Sequence, residues 1–232
     1  MAETSACRID APPLGRFISF EGGEGAGKST QIQRLRHRLA AHGFDTIVTR
    51  EPGGSPRAEE IRAILLSGRA KGHGALAETL LFAAARADHV DHTIEPALGR
   101  GAFVLCDRFI DSTRVYQGAL AGLPDTVLGA LERATIGDTR PDLTLILDLP
   151  VEIGLVRAGA RRTARGETVD RFEAEDASYH AEIRRAFLAI AQREPERCVV
   201  VDAGGSPDEV EARIWSAVEA RLGGWKRASR VG

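Results

Sequence analysis

Residues 20–30 read FEGGEGAGKST, and within them residues 22–29 fit the spacing G-x-x-x-x-G-K-[ST]. Ahead of the loop, residues 16–21 (RFISFE) form a short apolar run of strand character, and behind it residues 28–41 carry helical periodicity. Between a strand and a helix start, consecutive backbone N–H groups and the positive helix end converge on one anion. Lys28 then reaches the outer phosphates of a nucleoside triphosphate, and the Ser29 hydroxyl is suited to ligate Mg2+. The whole set Gly22, Gly23, Glu24, Gly25, Ala26, Gly27, Lys28, Ser29 and Thr30 is the candidate triphosphate site. The chain has only three lysines, which argues against a chance match, and the spacing does not fit the dinucleotide pattern G-x-G-x-x-G. Glu24 is the odd member: a carboxylate facing wrapped phosphate is repelled, so it needs a separate task.

Working outward, four more runs are apolar throughout rather than alternating: residues 44–49 (FDTIVT), 103–106 (FVLC), 143–149 (LTLILDL) and 198–201 (CVVV). Strands covered on both faces have this character. Helical patterns occupy residues 28–41, 56–66, 75–98, 124–135, 151–162, 177–193 and 207–222. The alternation predicts an α/β fold in three layers, a five-stranded parallel sheet with helices on both faces. Ser206 before Pro207, followed by Asp208 and Glu209, marks a capped helix start. Residues 158–171 (AGARRTARGETVDR) are expected to be a mobile, arginine-rich segment, although a charge run is often no more than a solvated face. Residues 1–15 are expected to be a flexible extension and 223–232 a tail, leaving a single domain over 16–222.

Composition narrows the function. The 43% hydrophobic and 28% charged fractions describe a soluble globular chain, and a net charge of −2 gives no reason to expect nucleic acid or an anionic membrane as partner. Cys7, Cys106 and Cys198 are scattered and odd in number, which disfavours a disulfide framework and a zinc site and points to the cytoplasm. No apolar run approaches the roughly 18 residues of a membrane span, and the polar, proline-containing start is unlike a secretory signal.

Moving a phosphoryl group, rather than only holding it, requires cations around the transferring oxygens. The loop contains no arginine, so Arg161, Arg162 and Arg165 in the basic segment are the candidates, brought in by closure over the substrates. Asp107 ends the third apolar run and is suited to hold Mg2+ through water; Arg108 beside it is suited to clamp a phosphate. Arg50 follows the second run and opens REPGGS, whose Pro52 and paired glycines force a tight path. An exposed Asp-Arg pair would be unremarked without the loop. Together these arginines exceed what one triphosphate needs, and a second phosphorylated substrate explains them. Arg157, with the backbone of residues 202–204, is the candidate for adenine.

At this point the chain resembles the bacterial thymidylate kinase family. The resemblance rests on FEGGEGAGKST, TREPGGS at 49–55, LLFAAARADHV at 80–90, CDRFIDSTRVYQG at 106–118, RPDLTLILDLP at 140–150 and DRFE at 170–173, in that order. It implies a P-loop kinase sheet, a homodimer, and transfer of the γ-phosphoryl of ATP to dTMP with Mg2+. It further implies that Arg50 and Arg108 hold the acceptor phosphate, that Phe82 stacks on thymine, and that Arg86 and Thr113 meet the base edge. Tyr116 would stand beside the sugar C2', with no room for a 2'-hydroxyl, and Glu24 would accept the 3'-hydroxyl. Pro52, Ser112 and Gln117 complete the implied dTMP set, and residues 158–171 correspond to the family's lid, whose arginines replace one kept inside the loop elsewhere. Phe82 and Arg86, four residues apart, share a helix face, as a ring and donor for a flat heterocycle should. The sequence departs from the family at Phe109, Ile110 and Asp111, at Ser55, and in extra lid residues, so counting does not choose among the three lid arginines. Two rivals remain here: a kinase for another nucleoside monophosphate, which would have little use for Thr113 with Tyr116, and a nucleotide-dependent switch, which would need no acceptor arginines and typically carries an NKxD-like signature.

Overall fold

Strand β1 (Arg16–Gly22) is buried along all but its first residue, as its uninterrupted apolar run demands. The computed structural model describes residues 15–165 and 176–223. In it β1 forms the centre of a sheet with β2 (Thr46–Arg50), β3 (Phe103–Asp107), β4 (Leu143–Asp148) and β5 (Cys198–Asp202), in the order β2-β3-β1-β4-β5 with every neighbouring pair parallel. The expected five-stranded parallel sheet is present. Register brings the functional strand ends to one level: Phe20 and Arg50 both lie opposite Asp107, and Gly22 lies opposite Leu147.

One face of the sheet is covered by α1 (Lys28–Ala41) and α9 (Pro207–Leu222). Ile32, Leu35 and Leu39 of the first, and Ile214, Trp215 and Val218 of the second, pack on Ile18, Phe20, Leu105 and Leu145. The opposite face is covered in two patches. Val90, Ile94, Phe109 and Ile110 pack on Phe17, Val104 and Cys106, while Ile183, Phe187 and Ile190 of α8 (Ala177–Arg193) pack on Ile146. The remaining helices are α2 (Pro56–Leu66), α3 (Gly74–His89), α4 (Glu95–Gly99), α5 (Ile110–Thr113), α6 (Asp125–Ile136) and α7 (Val151–Arg165). The expected start of α9 is there as a full capping box: Ser206 Oγ accepts from the Glu209 N–H, and Glu209 Oε2 accepts from the Ser206 N–H at 2.7 Å. No helix among the described residues is long and apolar enough to cross a membrane. Cys106 and Cys198 are buried free thiols, and Cys7 lies outside the described residues.

Two expectations are corrected. The single helix expected over 75–98 is α3, a π-helical turn (Val90–Ile94) and α4 in succession. Pro96 in the first turn of α4 lacks an N–H and crowds the carbonyl four residues back, which the wider turn relieves. The basic segment is helical at its start: α7 runs to Arg165 instead of ending at 162, because alanine and arginine are strong helix formers. The remainder of the segment, 166–171, lies outside the described residues, as does all of DRFE. Residues after β3 that carried no expected element form α5 and a second π-helical turn (Arg114–Leu120).

Candidate active site

The loop leaves β1 at Gly22 and enters α1 at Lys28 through Gly25 and Gly27, whose φ values of 67° and 90° lie in the left-handed region that glycine tolerates. A second constraint falls on Gly25: a Cβ there would stand 2.0 Å from the Gly154 carbonyl oxygen of α7, and a Cβ on Gly154 would stand 2.5 Å from the Glu24 carbonyl oxygen. Helix α7 therefore rests directly on the backbone of the loop. Lys28 is buried, and its Nζ donates to the carbonyls of Gly22 at 3.0 Å and Gly23 at 2.9 Å. Burial, and then the Arg108 charge, push its pKa below the ordinary lysine value, against the pull of Glu24, Asp107 and Glu21. Ser29 Oγ donates to Asp107 Oδ2 at 3.0 Å, so the hydroxyl and carboxylate expected around Mg2+ are neighbours. Two hard oxygen donors beside a phosphate loop suit an ion that keeps several waters and takes the rest of its shell from phosphate.

Arg108 follows β3 with φ 68°, the one non-glycine residue at positive φ among those described. For an L-residue that conformation costs about 1–2 kcal/mol. Its guanidinium reaches across the cleft: Nη2 donates to Glu24 Oε1 at 2.7 Å, Nη1 to Ser112 Oγ at 3.3 Å, and Cζ lies 5.3 Å from the centre of the Tyr116 ring. Arg161 Nη2 lies 4.0 Å from Glu24 Oε2. Glu24 thus points from the loop toward two arginines rather than into the phosphate cradle. Burial alone would raise its pKa, but Arg108, Lys28 and Arg161 together hold it at about 2, down from 4.5. The sign follows for stability: the charged pair contributes fully above pH 4.5, and the contribution is lost as pH falls from there toward 2. Acid titration of melting temperature is expected to show wild type and Glu24→Gln separated above pH 4.5 and converging toward pH 2; a constant gap would contradict the pairing.

These groups face one cleft of about 900 Å3. Its floor is the loop from Glu24 to Thr30, and one wall carries Arg50, Pro52, Phe82 and Arg86. The other carries Asp107, Arg108, Ser112, Thr113, Tyr116 and Gln117, with Arg161 at the rim. Arg86 is buried. Its Nε donates to Glu51 Oε2 at 2.8 Å and its Nη2 to Thr113 Oγ1 at 3.0 Å, so the two residues expected at a base edge are already in register. Arg50 Nη2 donates to both carboxylate oxygens of Glu59 at 3.1 Å. Four expected residues lie elsewhere. Gly22 and Gly23 line a cavity of about 20 Å3 behind the loop. Arg157 donates to the carbonyls of Ala203 at 3.2 Å and Gly205 at 3.4 Å, which joins the two groups expected near adenine outside the main cleft. Arg162 is on α7 but does not line the cleft; Arg165 ends that helix, and its side chain is outside what is described.

Sequence comparison fits this geometry. The family model described as thymidylate kinase matches residues 20–214. The chain belongs to the thymidylate kinase family. Thymidylate kinase of Bradyrhizobium sp. (strain BTAi1 / ATCC BAA-1182) is 59% identical over 211 residues, covering 91% of this chain and 92% of the relative. Thymidylate kinase of Rhodopseudomonas palustris (strain ATCC BAA-98 / CGA009) is 61% identical over 209 residues, 90% of each. The crystal structure of thymidylate kinase from Ehrlichia chaffeensis superposes with a TM-score of 0.70 at 30% identity, covering 89% of this chain and 99% of that one.

Within this thymidylate kinase fold two carboxylates that sequence reading passed over organise the site. Glu51, buried next to Pro52, takes Arg86 on one oxygen and His89 Nδ1 on the other at 3.0 Å, and His89 Nε2 pairs with Thr49 Oγ1 at 2.7 Å. Its signal was present in TREPGGS, hidden beside the arginine and the glycines. Glu21, at the end of β1, is fully buried: Oε1 accepts from the N–H groups of Phe109 at 2.8 Å and Ser112 at 3.2 Å, and Oε2 accepts from Ser112 Oγ at 2.7 Å. Burial first, then the nearby Asp111 charge, lift its pKa to about 7 against the opposing pull of Arg108 and these donors.

Proposed function

We propose that the chain transfers the γ-phosphoryl group of ATP to dTMP, giving dTDP and ADP, in an Mg2+-dependent reaction within a single domain over residues 16–222. The observation that carries the reading is the continuity of one cleft from the phosphate loop to the Phe82–Arg86–Tyr116 pocket, joined by the Glu24–Arg108 pair at 2.7 Å. In this reading the loop backbone and Lys28 hold the triphosphate, and Arg50 and Arg108 hold the acceptor phosphate. Phe82 stacks on the base, Arg86 donates to its exocyclic oxygen, Thr113 accepts from its N3–H, and Pro52, Ser112 and Gln117 close the acceptor pocket. Tyr116 excludes a 2'-hydroxyl by bulk, and Glu24 accepts the 3'-hydroxyl. Ser29 and Asp107, the latter through water, would hold Mg2+, which when bound neutralises charge on the phosphate oxygens. Residues 158–171 act as a lid whose Arg161 serves the transferring group, and Arg157 with the backbone around Ala203 meets adenine. A homodimer is supported by large apolar side chains left exposed on adjoining helices, Leu76 and Leu80 one turn apart on α3 with Ile64 on α2. We place the enzyme in the cytoplasm.

The test is a comparison of initial rates with ATP and Mg2+ at equal acceptor concentration. dTMP is expected to react much faster than UMP, dCMP or AMP, and a clear preference for any other acceptor rejects the assignment. Tyr116→Ala is expected to lose discrimination against UMP while its KM for ATP stays near normal; unchanged discrimination rejects the steric role.

A further inference from the structure

We propose that Glu21 is a positioning residue: it does not touch substrate, but it holds the turn that aims Arg108 at the acceptor phosphate. This rests on the reading of Arg108 as the acceptor clamp and goes beyond it, to what makes that clamp possible. Arg108 has a left-handed backbone that a residue with a Cβ leaves unless its neighbours hold it there. Its own N–H donates to the Phe20 carbonyl at 2.9 Å, and the Cys106 thiol donates to its carbonyl oxygen at 3.0 Å. The next N–H in the chain, that of Phe109, is captured by Glu21. Glu21 therefore secures the strained residue on the side that the backbone hydrogen bond from β1 does not reach.

The same carboxylate sets the guanidinium. Ser112 gives Glu21 both its N–H and its hydroxyl proton, which leaves Ser112 Oγ as an acceptor fixed in place for Arg108 Nη1 at 3.3 Å. Three donors converge on one carboxylate, and the group they orient is the arginine next to them. Packing does not explain the choice of residue, because a fully buried carboxylate is costly where leucine would fill the space. Direct chemistry does not explain it either, because Glu21 does not line the cleft. Its elevated pKa, caused mainly by burial, agrees with a group retained for its bonds despite that cost.

The test uses Glu21→Leu, Glu21→Asp and Glu21→Gln, each alone and combined with Arg108→Ala, in the full-length enzyme. Glu21→Leu removes all three acceptor contacts, and Glu21→Asp keeps the carboxyl group but is too short to serve all three donors. Both are expected to lower kcat/KM for dTMP, by roughly 10- to 100-fold for Leu and less for Asp, as misplacement of a binding group by about 1 Å does. KM for ATP should remain within about twofold, since the loop keeps its own bonds. Glu21→Gln should restore most of the activity: its amide oxygen accepts both N–H groups and its NH2 donates to Ser112 Oγ. In the Arg108→Ala background the Leu and Asp changes should add nothing, the mark of a residue acting through another. If Glu21→Leu is insoluble, Glu21→Asp carries the same comparison.

Equal losses toward ATP and dTMP, or full losses that persist on top of Arg108→Ala, would overturn the proposal in favour of a general structural role. An Arg108→Ala enzyme with unchanged kcat/KM for dTMP would overturn the acceptor reading and this inference with it. A defective Arg108→Ala enzyme beside normal Glu21→Leu and Glu21→Asp enzymes would overturn this inference alone.

Discussion

Arg161→Ala is expected to reduce kcat by on the order of 10³ with both substrates saturating, the size of effect that a transition-state arginine has in phosphoryl transfer. The phosphate loop contains no arginine of its own, so the positive charge beyond Lys28 has to come from outside it. Among the described residues of the basic segment Arg161 lines the cleft, with Nη2 4.0 Å from Glu24 Oε2 and a side chain 43% exposed. An interaction made mainly in the transition state lowers kcat and leaves KM for either nucleotide little changed. Arg162→Ala, one residue along the helix and away from the cleft, is the internal comparison, with an expected loss of less than about tenfold on the ordinary footing of a surface charge. Steady-state rates of the two variants decide it. A near-normal Arg161→Ala enzyme would move the cation elsewhere, and a severe loss in Arg162→Ala alone would move it by one residue.

Lys28→Met is expected to lower kcat/KM for ATP by roughly 10² to 10³, comparable with removing one preorganised donor from a charged transition state. Lys28 is buried, and its ammonium is held by two loop carbonyls 3.0 and 2.9 Å away, so its charge acts where water does not screen it. Methionine preserves most of the side-chain volume, which keeps α1 seated and separates loss of charge from loss of packing. The thermal midpoint is therefore expected to change little while turnover collapses. Retained turnover in a folded variant would remove Lys28 from the reaction.

The fold was legible in the sequence because its signals are local. Five apolar runs and the loop spacing each report on a few consecutive residues, and the loop also fixes which strand is central to the site. Phe82 and Arg86 were named through the family resemblance, and their four-residue spacing on one helix agrees with it, since both lie in the same wall. Glu21 and Glu51 were not. A glutamate at a strand end usually faces solvent, and only the return of residues 109–112 over β1, or of α3 beside β2, turns these two inward. That Arg161, and not Arg162, faces the cleft was equally out of reach. It depends on how far α7 continues as a helix and on the angle at which it leaves the loop, and neither is a property of the residues counted one by one.

That angle is set at the glycine pair where α7 meets the loop. Gly154 and Arg161 are seven residues apart, which at the helical rise of about 1.5 Å per residue makes a lever arm of roughly 10 Å. A rotation of only about 5° at the fulcrum carries the far end through nearly 1 Å, the scale at which alignment for phosphoryl transfer is gained or lost. The backbone contact between Gly25 and Gly154 is consequently a seat with a narrow tolerance, and any side chain there would shift Arg161 seven residues away.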